Sequence, residues 1–251
     1  MRPRAIALVA ASGYAVFLVA TAPASLLAAR VDAATQGQVH MADPRGTIWS
    51  GHTRVEITGA AGTSTIERLE WSFAPSALAA GRAAFDVSVA SRGLDASARL
   101  ARGFRDWALE RTDVKLDARN VSAWAPMLAA WHPEGRIALS SNGLAWDDEG
   151  KATGKARLAW DDAAVSLSEV RPLGRYTLDI AADHGPAAIT LATIDGPLKL
   201  SGHGSFAPGK FSFSGEARGE GPNASALEPL LNLMGLKRAD GSRAIEVGIS
   251  L

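Results

Sequence analysis

Leu69-Glu70-Trp71-Ser72-Phe73 decides the fold class. Apolar and polar residues alternate with period two. Leu69, Trp71 and Phe73 therefore share one face of a strand, and Glu70 and Ser72 share the other. One dry face and one wet face mark an antiparallel sheet that covers a core on one side. The alternation recurs at Val55-Ile57, Phe85-Val87-Val89, Val114-Leu116, Leu158-Trp160, Tyr176-Leu178-Ile180, Leu198-Leu200 and Phe211-Phe213. Turn chemistry separates these runs at Gly59-Ala60-Ala61-Gly62, Asp147-Asp148-Glu149-Gly150, Asp183-His184-Gly185-Pro186 and Ala207-Pro208-Gly209-Lys210. The chain reads as mainly β, a curved antiparallel meander.

The strands also read as a repeated set. Gly46 precedes Trp71 by 25 residues, and Gly135 precedes Trp160 by the same 25. Gly81-Arg82-x-x-Phe85-Asp86-Val87 is matched by Gly174-Arg175-x-x-Leu178-Asp179-Ile180. Asn120 to Leu128 and Asn223 to Leu231 share the pattern N-x-S-A-x-x-P-x-L. Asn and Ser favour helix N-caps and Pro fits a first turn, so each repeat is expected to close with a short helix. The expected organisation is repeat one over about 46–134, repeat two over about 135–240, and a closing strand over 241–251. That strand carries Ile245, Val247, Ile249 and Leu251 in alternation and is expected to pair in the sheet.

The 251 residues hold 26 Lys+Arg against 26 Asp+Glu, and 47% are apolar. That is enough apolar material for a core. The neutral balance argues against a nucleic-acid partner. The absence of Cys excludes thiolate metal sites, Cys nucleophiles and disulfides. Charge is unevenly spread. Arg2 and Arg4 precede 25 uncharged residues, Ala5 to Ala29, long enough to cross a bilayer core. The expectation is a transmembrane signal-anchor over 1–30, its short leading end in the cytoplasm, and a periplasmic β domain over 31–251. A cleaved signal peptide is the competing reading, with Ala22-Pro23-Ala24 as its small-x-small site. Removing residues 1–30 takes away three arginines and no acid, which leaves a net charge of −3.

Candidate chemistry is sparse. His40, His52, His132, His184 and His203 show no metal-ligand spacing. Asp147-Asp148-Glu149 and Asp161-Asp162 lack a Ca²⁺-loop pattern and read as solvated turn carboxylates. No G-x-S-x-G elbow is present. Gly202-His203-Gly204-Ser205 continues a strand, and the glycines from Gly215 to Gly221 lack the context of a phosphate cradle. No catalytic, cofactor-binding or metal residue is assigned, and the chain is not expected to be an enzyme. Seven Trp (49, 71, 107, 124, 131, 146 and 160) either line an apolar groove or, as the simpler reading, pack sheet against helix. Gly46, Thr47, Trp49 and Gly51 read as a strand-turn device, with a contact site as the rival.

Several blocks together resemble type II secretion system protein N, also called general secretion pathway protein N. They are Ala20-Thr21-Ala22-Pro23-Ala24, then Gly46-Thr47-Ile48-Trp49-Ser50-Gly51, and Leu69-Glu70-Trp71 with Pro75 and Leu78. Leu173-Gly174-Arg175-Tyr176, Asp195-Gly196-Pro197-Leu198 with Leu200-Ser201-Gly202, and Asp240-Gly241 follow in order. The resemblance implies an accessory, single-pass inner-membrane component of the machine that exports folded proteins across the outer membrane. It implies the outer-membrane secretin and the inner-membrane platform proteins as partners, and no catalytic residues or cofactor. The alternative is a periplasmic protein that handles lipid or another apolar ligand. A one-sided meander with two short helices leaves apolar face uncovered, and its architecture is similar to AsmA-like envelope proteins.

Overall fold

The computed structural model describes residues 12–14, 17–59, 62–121, 130–149, 151–207 and 209–250. These residues form fourteen strands whose paired neighbours run antiparallel, in two compact units. The alternating runs quoted between Val55 and Phe213 each lie within one of these strands.

The first unit takes in residues 1–74 and 85–92. It holds helix α1 (Ala24–Ala34) and strands β1 (Val39–Gly46), β2 (Ser50–Gly59), β3 (Gly62–Ala74) and most of β4 (Ala83–Ser91). The strands follow one another in chain order. Ala24 is buried, and Leu27, Ala28 and Val31 of α1 pack with Met41, Val55, Ile66 and Trp71 into the unit's core. Thr35 ends the helix, its hydroxyl and its amide N–H both donating to the Val31 carbonyl (2.8 and 2.9 Å).

Part of the expected anchor over 1–30 packs into this core. The uncharged run is not one helix, because the chain turns at Thr21 and extends at Pro23 before α1 begins. Proline has no N–H to continue a helix and disfavours helical backbone in the residue before it. Pro23 forms a β-bridge with Thr47, and the Ile48 N–H donates to the Ala22 carbonyl at 2.9 Å. The second half of the run thus belongs to a folded core. Among the described residues no helix is long and apolar enough to cross a membrane. Residues 1–11, 15 and 16 of the expected span lie outside them.

The second unit takes in residues 75–84 and 93–251. Its strands are β5 (Leu94–Arg102), β6 (Asp106–Asp117), β7 (Glu134–Ser141), β8 (Leu144–Asp147), β9 (Ala152–Ala164), β10 (Gly174–Asp183), β11 (Ala187–Asp195), β12 (Leu198–Ala207), β13 (Lys210–Gly219) and β14 (Arg243–Ser250). β7 and β8 are one strand interrupted at Asn142-Gly143, since β6 pairs Thr112 with Ser141 and then Leu109 with Leu144. Gly143 takes a left-handed φ of +80° at the interruption. The closing strand pairs with β13 as expected.

Helix α2 (Glu228–Met234) follows a 3₁₀ turn at Ser225–Leu227. Pro229 sits in its first turn as expected, but neither Asn223 nor Ser225 caps with its side chain. The Leu227 N–H instead donates to the Ala224 carbonyl (3.3 Å) and to the Asn223 carbonyl (3.2 Å). Of the matching earlier segment, residues 122–129 lie outside the described residues. The Asn120 side-chain amide donates to the Gly93 carbonyl at 3.1 Å. Asp161 and Asp162 are not in a turn. They lie in β9 beside a bulge, where Asp162 has φ +51° and pairs with Arg136 at 2.7 Å. The spacing of 25 also spans different structure in the two halves, running from β1 to β3 in one and from β7 to β9 in the other.

Candidate functional site

The four residues singled out as Gly46, Thr47, Trp49 and Gly51 meet at the β1–β2 turn of the first unit. Gly46 has φ +95°, and a Cβ there would strike the Ser50 carbonyl. A Cβ on Gly51 would strike the Arg45 carbonyl and come within 2.6 Å of the Trp71 ring. The Thr47 hydroxyl accepts from the amides of Trp49 and Ser50, both at 3.2 Å, and closes the turn. The Trp71 indole N–H donates to the Thr47 carbonyl at 3.1 Å. Trp49 lies edge-on to Phe73 at 5.3 Å and parallel to Phe85 at 6.5 Å, while its indole N–H donates to the Val19 carbonyl at 2.8 Å. These bonds hold the chain ahead of α1 against the turn. The four residues close the turn and latch the preceding chain to it.

The remaining candidates stay apart. Among the described residues no three His, Asp or Glu gather as a metal site. His203 and Ser205 sit two residues apart on β12, and the Ser205 hydroxyl bonds Ser212 at 2.9 Å. His184 sits beside Asp183 at the exposed β10–β11 turn (3.0 Å), and His40 lies 3.5 Å from Asp32. Asp147 does turn the chain, accepting from the amides of Glu149 (3.0 Å) and Lys151 (2.8 Å). Three aspartates titrate below the usual carboxylate range through local bonds: Asp117 to Arg119, Asp148 to Arg102 and Asp240 to Ser242. All three lie at the surface and serve turns or ion pairs.

The second unit holds a different kind of site, an apolar cavity of about 390 Å³. Leu116, Ile137, Leu158, Trp160, Tyr176 and Leu200 line it from β6, β7, β9, β10 and β12. Leu230 and Met234 of α2 line it from the helix, with Trp131, Val165 and Leu173 from loops. The lining presents no polar surface. The polar tips of Trp160 and Tyr176 are turned to the backbone. The Trp160 indole N–H donates to the Glu134 carbonyl and the Tyr176 hydroxyl to the Leu198 carbonyl, both at 3.0 Å. Burial pushes the Tyr176 phenol above its ordinary pKa.

Arg243 holds α2 in place beside this cavity. Its side chain is 1% exposed at the start of β14. It donates to Glu228 (2.6 Å), to Asn232 (2.8 Å) and to the Gly241 carbonyl (3.1 Å), while its Nε has no partner. Of the seven Trp, Trp131 and Trp160 border the cavity, Trp49 and Trp71 belong to the latch, and Trp107 carries Arg102 over its ring at 5.0 Å. Among the described Trp the groove reading thus applies to two, and Trp124 lies outside the described residues. No spacing in the sequence announces the Arg243 clamp, since Glu228 and Arg243 are joined only by the register of β14 beside α2.

Comparison with protein families matches the family described as type II secretion system (T2SS), protein N, over residues 37–246. The chain belongs to this family. Comparisons with curated proteins and with solved structures find no match.

Proposed function

We propose that this member of the type II secretion system protein N family is a non-enzymatic interaction component of the secretion machine. It is held at the inner membrane, with its strands in the periplasm, and it docks partners through the outer edge of β14. The observation that carries the docking mode is the state of that edge. β14 pairs with β13 from Arg243 to Ser250, and the segment before it meets its outer side only at Arg243 and Ala244. Among the described residues nothing pairs with the outer side of Glu246, Val247 and Gly248. An extended strand added there continues the ladder, and alternate side chains supply specificity. The secretin and the inner-membrane platform proteins are the proposed partners, as the family resemblance implies.

The tether is assigned to the chain ahead of Thr21. Tyr14, Phe17, Leu18 and Val19 are 50–64% exposed, an unusual density of bare apolar side chains. Residues 5–20 carry no charged side chain. The two-repeat organisation over about 46–134 and 135–240 is supported by one recurrence. Trp71 and Trp160 each donate an indole N–H to a carbonyl beside the quoted glycines, at Thr47 and Glu134.

The test is complementation of cells that lack the chain, with secretion of a folded cargo as the readout. The wild-type chain restores secretion. Val247→Lys, a charge of the kind that natural edges use to block strand addition, lowers secretion without lowering the unfolding midpoint. Full secretion with Val247→Lys contradicts the docking edge, and full secretion in the deletion contradicts the accessory role.

A further inference from the structure

We infer that the cavity of the second unit is a binding site for a single hydrocarbon chain of a lipid. This does not rest on the secretion reading. The lining decides the class of ligand. The lining presents no polar surface, and the polar tips of Trp160 and Tyr176 are already bonded to backbone, so a polar ligand entering the cavity loses its bonds to water and gains none from them. A saturated chain loses nothing and buries its methylenes. The volume, about 390 Å³, lies at the small end of ligand pockets, which fits one chain better than two.

The sheet supplies a way out for such a chain. Leu158 lines the cavity and also stands in a row of directly paired apolar residues: Val114, Leu139, Leu158, Leu178 and Leu191. At one strand spacing per step the row covers about 19 Å across the sheet. All five side chains are half-buried, none fully covered. The row continues over Gly202 and Gly215 to Ile245. There the Phe213 ring lies against the two glycines, and a Cβ on Gly202 would come within 2.5 Å of it. A smooth apolar track perpendicular to the strands thus leads from an apolar pocket. The source of the chain is either a free fatty acid or a membrane phospholipid.

The purified full-length chain is titrated with the fluorescent fatty acid cis-parinaric acid, and palmitate is used to displace it. The expected result is saturable binding at one site per chain, displaced by palmitate. Leu158→Phe with Leu200→Phe fills the cavity from the sheet side and weakens binding at least tenfold with no fall in the unfolding midpoint. Unsaturable binding, or no displacement by palmitate, overturns the inference. So does unchanged affinity in the folded double variant. Should the double variant unfold, the wild type decides alone, because a ligand bound only to the native state raises its unfolding midpoint with concentration. A rise with palmitate only assigns the site to fatty acids, and a rise with phosphatidylethanolamine vesicles assigns it to phospholipid. A rise with neither overturns the site.

Discussion

The clamp between Arg243 and Glu228 should respond unequally to loss of its two partners. Arg243 is 1% exposed and Glu228 43%. Glu228→Gln leaves a buried guanidinium without its counter-charge, and its Nε already lacks a partner. Breaking a fully buried pair in this way costs about 3–5 kcal/mol. Water reaches the half-exposed Glu228 side, so the expected cost is about 2 kcal/mol. Arg243→Met removes the same pair from the other end. It keeps the length of the stem and also removes the unpartnered Nε. Replacing buried ions by apolar bulk is often neutral, so its cost is expected within ~1 kcal/mol. In the Arg243→Met background, Glu228→Gln loses only its favourable place in the first turn of α2, roughly 0.5 kcal/mol. The coupling from the double-mutant cycle is then about 1.5 kcal/mol. Urea unfolding of the purified chain, followed by circular dichroism, reads all three values. A Glu228→Gln cost below about 0.5 kcal/mol, or additivity in the cycle, refutes the reasoning.

Three further outcomes follow from the same geometry. Gly51→Ala pushes a methyl into the Arg45 carbonyl and the Trp71 ring, and should cost about 1–3 kcal/mol by urea unfolding. Trp71→Phe removes the bond to the Thr47 carbonyl and keeps most of the packing, for a loss of about 1 kcal/mol in the same assay. Tyr176 stays protonated in the folded chain above pH ~10, where an unfolded phenol ionises. Stability is complete below that pH and falls as pH rises beyond it. Tyr176→Phe flattens the fall, and phenolate absorbance should show one of the two tyrosines resisting titration until the chain unfolds.

The strands were legible because period two is written into residues such as Leu69, Trp71 and Phe73. β5 was less so, since its alternation is carried largely by Ala96, Ala98 and Leu100, and alanine is a poor strand signal. The break at Thr21–Pro23 had one local cue, the proline. Its decisive contacts, from Pro23 and Val19 to Thr47 and Trp49, are long-range and leave no periodic trace. The cavity was foreseen only as uncovered apolar face. Its lining joins Leu116 to Met234, and that juxtaposition depends on register and on where α2 lands. The equal spacing of Gly46–Trp71 and Gly135–Trp160 runs from β1 to β3 in one case and from β7 to β9 in the other, because sequence distance does not count strands.

Photo-crosslinking from the β14 edge tests the central claim most directly. A photoreactive residue is placed at Glu246 or Gly248 of the full chain in cells that carry the secretion machine. A control position is placed at Thr190 on β11, a strand paired on both sides. Adducts to the secretin or a platform protein from the edge positions, and none from Thr190, are the predicted result. Equal adducts from all three positions, or none from the edge to any machine component, contradict the account.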